Sequence, residues 1–139
     1  MGAAPRIVFV QYTNPAGYPP LEHAALRLAR EGWEVTFLGA AAHGADALRF
    51  APHVPVAVQR LPSFGDGLLQ RLNYAVYLVW VIGFCLLHRP RWVYASDAMA
   101  ALPALAVRAL LRCRVVYHEH DIPAPPAGRL RQMLLAARA

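Results

Sequence analysis

Lysine is absent from this chain of 139 residues, and cysteine and acidic residues are scarce. All 14 basic residues are therefore arginine, which excludes the lysine-dependent phosphate loop of many nucleotide-hydrolysing enzymes. Two cysteines, Cys85 and Cys113, are too few for a disulfide framework or a four-cysteine zinc site. They are typical of reduced cytoplasmic residues, with a single bridge left open. With 8 acidic residues the net charge is +6, which favours anionic partners such as phosphates, lipid head groups or nucleic acid.

The composition is otherwise that of a folded domain. Hydrophobic residues make up 58% of the chain and charged residues 16%, which excludes general disorder. A domain of this length buries roughly two-thirds of the surface of its unfolded chain. The turn after the first apolar run contains Gly17 alone, so it lacks the three glycines of a dinucleotide-binding motif.

Short β-branched runs alternate with helical patterns along the chain. The predicted strands are 6–12, 33–38, 54–61, 91–95 and 114–118. The predicted helices are 19–31, 67–88 and 98–111. This alternation predicts an α/β, Rossmann-like parallel sheet of about five strands with helices on both faces. If the strand order is 3-2-1-4-5, the ligand crevice lies between strands 1 and 4, at the carboxyl ends of the strands.

Polar side chains gather where these strands end. Thr13–Gly17 follows strand 1, Ser96 and Asp97 follow strand 4, and His118–Asp121 follows strand 5. These segments are candidates for a substrate site, although Ser96 or Asp97 is equally suited to cap the next helix. His118 and His120 would share one face of a strand, as metal ligands do, but no third ligand has a defined spacing. We therefore predict no metal site.

An apolar helix is the other prominent feature. Leu72–Leu87 contains no charged residue over 16 positions, which is short for the ~20 residues of a membrane-spanning helix. We interpret it as a buried or interfacial helix. Its aromatic residues, flanked by arginines, suit a membrane interface, and the alternative is a core helix packed on the sheet. These aromatic residues are Tyr74, Tyr77, Trp80 and Phe84.

Three segments carry a resemblance to a known family. They are RIVFVQYTNPAGYPPLEHAALRLAREGWEVTFLG, RPRWVYASDAMAALPALAV and RVVYHEHDIP. Together, over about residues 5–123, they resemble the N-terminal domain of bacterial glycosyltransferases of the GT-B fold, of the family 4-like (group 1) type. The resemblance implies one half of a two-domain enzyme that transfers sugar without metal or cofactor, usually with retention of configuration. In such enzymes the N-terminal domain mostly binds the acceptor and the second domain binds most of the nucleotide-sugar donor.

The resemblance assigns roles to particular positions. The residues expected to bind substrate are Asn14, Ala16, Gly17, Ser96 and His118. Those expected to act in catalysis are Asp97, Glu119 and His120. Many relatives have a histidine just before the position of Asp97, and this chain has Ser96 there.

The resemblance also sets the expected domain organisation and partners. Residues 1–127 are expected to form the Rossmann-like domain, and 128–139 the start of a truncated helix or a linker. These 139 residues do not contain the donor-binding domain, so we expect an acceptor-binding half that transfers sugar only when that domain is supplied. The expected partners are a nucleotide-sugar donor, a glycan or lipid-linked acceptor, and the inner face of the cell membrane. Nucleic acid is not expected, because the arginines are scattered and no binding motif is present.

Two other hypotheses about function compete with that of a glycosyltransferase half. The first is a non-catalytic, flavodoxin-like binding or regulatory module, which needs no donor-binding half. The second is a small metal-dependent hydrolase built on His118 and His120.

Overall fold

A computed structural model describes residues 4–12, 19–40, 56–62 and 67–118. The strands are β1 (Arg6–Gln11), β2 (Glu34–Ala40), β3 (Ala57–Leu61), β4 (Trp92–Ala95) and β5 (Arg114–Tyr117). The helices are α1 (Pro19–Arg30), α2 (Leu68–His88) and α3 (Ala98–Leu111). All paired strands are parallel, and their order is β3-β2-β1-β4-β5. The predicted α/β fold is confirmed, and the strand order is the one on which the predicted position of the crevice depended.

The central strand β1 buries both of its faces, which explains its continuous apolar sequence. Ile7 and Phe9 point to the face that α1 covers. Val8 and Val10 point to the opposite face, which α2 and α3 cover. Because successive strand residues alternate between faces, one run of apolar residues supplies two separate cores. Helices therefore cover both faces of the sheet, as predicted.

The smaller core lies under α1. Leu21 and Ala25, one helical turn apart, are fully buried and face the sheet. The rings of Phe9 and Phe37 stack beneath them with centroids 4.6 Å apart. Gly32, with φ 84°, adopts the left-handed conformation that ends α1 and returns the chain to β2.

The larger core lies under α2, and it decides between the two alternatives for the aromatic residues of this helix. Tyr77 is fully buried, and the other three aromatic residues of α2 pack against the same core, as expected for a core helix packed on the sheet. Large rings contribute the most apolar area, so they fill the space above the sheet. The opposite side of α2 is aliphatic and exposed, and we call it the aliphatic stripe. It consists of Leu68, Leu69, Leu72, Val76, Val79, Leu86 and Leu87.

Both cysteines are free thiols, so the single bridge left open by the sequence is not formed. Cys85 lies in the larger core, where burial raises the pKa of its thiol to about 12. Cys113 is half-buried at the start of β5, and burial also raises its pKa. Both thiols therefore remain protonated at neutral pH, which makes them weak nucleophiles.

Candidate functional site

Three strand ends meet at the carboxyl edge of the sheet. The backbone N–H of Ser96 donates to the Val10 carbonyl at 3.1 Å, and that of His118 donates to the Ala95 carbonyl at 2.9 Å. These bonds extend the strand pairing just beyond β4 and β5. The residues that follow β1, β4 and β5 therefore lie side by side, starting with Tyr12 at the end of β1. This edge is where an open parallel sheet binds its ligands.

Asp97 spans the crevice between β1 and β4. One carboxylate oxygen, Oδ1, accepts the N–H of Ala100 at 2.6 Å, which caps the first turn of α3. The other, Oδ2, accepts the N–H of Tyr12 at 2.7 Å. The predicted capping of α3 is confirmed, with Asp97 as the capping residue. Because each oxygen holds a backbone N–H, this geometry favours a role in fixing the crevice, and a catalytic role for Asp97 stays a prediction.

A cluster of tyrosines from β1 and α2 borders Asp97. The Tyr12 ring lies edge-on to those of Tyr74 and Tyr77, with centroids 5.3 and 5.0 Å apart. The Tyr12 hydroxyl hydrogen-bonds to the side chain of Asn73. The Tyr74 hydroxyl donates to the Met99 carbonyl at 2.9 Å, which links α2 to α3. Sequence reasoning missed this cluster. Tyr12 is the last residue of the predicted strand 6–12, and the spacing of the other residues places them on one helical face.

The environment of these tyrosines keeps them uncharged. Burial raises the pKa of Tyr12, and it raises the pKa of Tyr74 to about 12 with a contribution from the negative charge of Asp97. Burial, again with Asp97, raises the pKa of Tyr77 well above its ordinary value. The three phenols are therefore protonated at neutral pH. They act as hydrogen-bonding groups and not as general bases.

The buried hydroxyl of Tyr77 leads to a testable prediction. Within the part of the chain that the structure describes, no group accepts or donates a hydrogen bond at this atom, although the residue is fully buried. A buried unpaired hydroxyl costs about 1–3 kcal/mol, so we expect Tyr77→Phe to raise the free energy of unfolding by about 1 kcal/mol. The matched control is Tyr74→Phe, which loses a formed hydrogen bond and is expected to lower it by about 1 kcal/mol. Urea denaturation of both variants tests this, and equal signs for the two changes would contradict it.

His118 presents its ring at the same edge, beyond β5. Its Nδ1 is hydrogen-bonded to the hydroxyl of Tyr94, and the two rings are perpendicular with centroids 6.0 Å apart. The residue is exposed, whereas Tyr94 is half-buried and stacks at a tilt on Phe9. The half-buried tyrosine thus orients an exposed imidazole. Neutral imidazole has one donor and one acceptor nitrogen, and Nε2 supplies whichever function the bond at Nδ1 leaves.

The remaining predicted site residues divide into two groups. Ser96 is buried, and its hydroxyl donates to the Val10 carbonyl at 3.5 Å, so it faces the sheet. The others lie outside the described residues: Asn14, Ala16, Gly17, Glu119 and His120. The structure therefore brings Ser96, Asp97 and His118 to one edge, and their substrate roles stay predictions. Within the described ranges, no three histidine, cysteine or acidic side chains cluster in a way that would hold a metal ion.

Comparison with known proteins supports the fold. No protein-family model matches the chain, and no curated protein resembles it significantly in sequence. Among solved structures, the chain is similar to CalG4, the calicheamicin glycosyltransferase, with a TM-score of 0.59 and 15% sequence identity. The match covers 97% of this chain and 37% of that structure. The chain therefore has the Rossmann-like α/β fold found in one part of a glycosyltransferase.

Proposed function

We propose that this chain is the acceptor-binding half of a glycosyltransferase. It would transfer a sugar from a nucleotide-sugar donor to a glycan or lipid-linked acceptor. The observation that carries the proposal is the fold match, which extends over nearly all of this chain but only 37% of a solved glycosyltransferase. The sequence resemblance to the N-terminal domain of family 4-like enzymes supports the same assignment, including transfer with retention of configuration. The donor-binding half is then a separate domain.

The carboxyl edge supplies the chemistry that an acceptor site needs. Asp97 ties the end of β1 to the start of α3, which fixes the floor of the crevice. The imidazole of His118, which hydrogen-bonds to Tyr94, would hydrogen-bond an acceptor hydroxyl and hold its oxygen toward the donor. Glu119 and His120 follow directly and are proposed to act in proton transfer. Stabilisation of the leaving diphosphate is assigned to backbone and basic groups, without a metal or cofactor.

The nucleotide sequence beyond the codon for Ala139 provides a direct test. We expect it to encode a second Rossmann-like domain, either in the same gene, in or out of frame, or in a neighbouring gene. A domain in the same gene would assign the chain to a two-domain enzyme, and a neighbouring gene would assign it to a split enzyme. The absence of such a domain from both places would contradict the proposal.

A second candidate function, a non-catalytic binding or regulatory module, is favoured by one observation. Both oxygens of Asp97 and the hydroxyl of Ser96 already bond to the protein backbone. A module of this kind would bind a ligand at the same edge without turnover. Sugar transfer when the donor-binding domain is supplied would identify the enzyme half, and ligand binding without transfer would identify the module.

A further inference from the structure

The aliphatic stripe of α2 is an unusually long exposed apolar surface. Leu68 and Leu87, near its two ends, are each 79% exposed, and Val79 in the middle is 72% exposed. At 1.5 Å per residue, the stripe runs roughly 27 Å from Leu68 to Leu86. By length and composition alone α2 would cross a membrane, but its other side is packed on the sheet. The exposed side of the helix is therefore suited to lie in the plane of a membrane interface, and the helix is not free to cross the bilayer.

The charges around this stripe are almost all positive. From Gly67 to His118 the chain has one acidic residue, Asp97, whose carboxylate is engaged by two backbone N–H groups. The same segment contains six arginines, namely Arg71, Arg89, Arg91, Arg108, Arg112 and Arg114. Of the other described carboxylates, Glu22 and Glu31 belong to α1 and its end, on the opposite face of the sheet. Glu34 lies near His88 at the end of α2, and its carboxylate is paired with Arg6 at 2.7 Å. The surface formed by α2 and α3 is therefore both apolar and basic.

The arginines are concentrated at one end of this surface. Helices that connect parallel strands run antiparallel to them, so α2 and α3 both end at the amino edge of the sheet. Their C-caps are Arg89 and Arg112, and the exposed side chain of Leu110 lies in the last turn of α3. Four arginines lie at this end, namely Arg89, Arg91, Arg108 and Arg112, whereas Arg71 is in the first turn of α2 and Arg114 packs over Trp92 on the α1 side. Each helix C-terminus contributes about half a negative charge, which leaves these four arginines in excess.

We propose that the aliphatic stripe docks on a bilayer that contains anionic phospholipid. The leucine and valine side chains would enter the boundary between head groups and acyl chains, with α2 lying in the plane of the membrane. The arginines at the ends of the helices would contact the phosphate groups. The membrane contact goes beyond glycosyl transfer and does not depend on it. The charge pattern selects an anionic bilayer over a second copy of the chain, since two such basic surfaces would repel each other.

The position of α2 connects this surface to the candidate site. The helix begins at the carboxyl edge of the sheet, and Tyr74 in its second turn belongs to the cluster beside Asp97. A bilayer along α2 would therefore meet the mouth of the crevice. This consequence rests on the proposed function. If the chain is the acceptor-binding half of a glycosyltransferase, its contact with the inner, anionic leaflet selects a lipid-linked acceptor.

Flotation with vesicles of phosphatidylcholine, with or without phosphatidylglycerol, tests the proposal on the full chain. We expect binding to the anionic vesicles that weakens as salt is added. The double variant Leu72→Glu/Val79→Glu is expected to bind about 100-fold more weakly, because two exposed apolar side chains lose their burial in lipid. The variant Arg71→Gln/Arg91→Gln is expected to bind about 10-fold more weakly and to lose most of the salt dependence.

The matched control is Arg30→Glu on α1, which changes the net charge by the same amount as the double glutamate variant but on the opposite face. It is expected to bind like the unmodified chain. All substituted positions are exposed, so unchanged circular dichroism and thermal melting establish that the variants fold. A chain that stays in solution with anionic vesicles would overturn the proposal. A dimer that the glutamate variant dissociates, without vesicle binding, would instead identify a second copy as the occupant. Because the assay contains no sugar, it cannot fail merely because the proposed transfer is wrong.

Discussion

Replacement of Asp97 by alanine is expected to lower the free energy of unfolding by about 3 kcal/mol. The substitution removes both acceptors that hold the N–H groups of Tyr12 and Ala100. Hydrogen bonds to a charged group contribute about 1.5–3 kcal/mol each, and loss of a helix cap alone costs about 1 kcal/mol. Because domains of this kind are stable by only about 5–15 kcal/mol, this is a large fraction of the total. Urea denaturation followed by circular dichroism measures it.

Two further variants identify the carboxylate as the cause. Asp97→Asn keeps one acceptor oxygen and turns an N–H₂ group toward the second donor, so it should have an intermediate stability. Ser96→Ala removes only a hydrogen bond of 3.5 Å and should cost less than about 1 kcal/mol. Equal midpoints for Asp97→Ala and the unmodified chain would show that the carboxylate does not hold β1 to α3. The proposed role of Asp97 in linking β1 to α3 would then be wrong.

His118→Ala is expected to lower kcat/KM about 10- to 100-fold when the donor-binding domain is supplied. The imidazole is exposed at the crevice, so its loss should remove a hydrogen bond to the substrate while the fold is retained. Removal of the imidazole leaves the substrate hydroxyl without its partner, which costs about 1–3 kcal/mol and includes that range of rates. The measurement is initial-rate kinetics of sugar transfer at varied acceptor concentration.

Tyr94→Phe is the companion variant, because it keeps the imidazole but removes the group that orients it. We expect a smaller loss, about 3- to 10-fold, since a correctly oriented ring would still be populated part of the time. A loss in Tyr94→Phe that equals or exceeds that in His118→Ala would contradict an orienting role. Unchanged kinetics in His118→Ala would remove this residue from the acceptor site.

Much of the fold could be predicted from local patterns. The runs at β1 and β4 are apolar and β-branched, and Gly32 marks the end of α1, so these elements were predicted to within two residues. The parallel pairing of the strands followed from the alternation of strands and helices, whereas their order was only assumed. The third strand was predicted over 54–61, and the structure has β3 at Ala57–Leu61. Strand ends depend on tertiary pairing, which local sequence does not contain.

The orientation of α2 could not be predicted in the same way. A helix that is apolar on all sides has no polar face to mark its exposed side, so a membrane interface and a core position both stayed open for the aromatic residues. The burial of Asn73 and Tyr77 depends on the shape of the space above β1 and β4. Periodicity indicated the existence of the helix, and only packing determined which side faces the sheet.

The candidate site was predicted in position but not in detail. The rule that ligands bind at strand ends placed Asp97 and His118 at one edge, where the structure has them. The bond from the Tyr12 N–H to Asp97 joins residues 85 positions apart in the chain. The pairing of Tyr94 with His118 likewise arises from the register of β4 and β5. Such contacts follow from the assembled sheet and leave no local signal in the sequence.

The central claim is that this chain supplies the acceptor half of a sugar transferase. The most direct measurement is transfer of radiolabelled sugar from UDP-glucose, UDP-N-acetylglucosamine or GDP-mannose to a lipid extract of the source membranes. The chain would be assayed alone, together with the donor-binding domain encoded beside it, and with that domain alone. We expect labelled lipid only when both halves are present, and a marked loss of it in His118→Ala. Transfer by either half alone, or no transfer from any of these donors when both are present, would contradict the account.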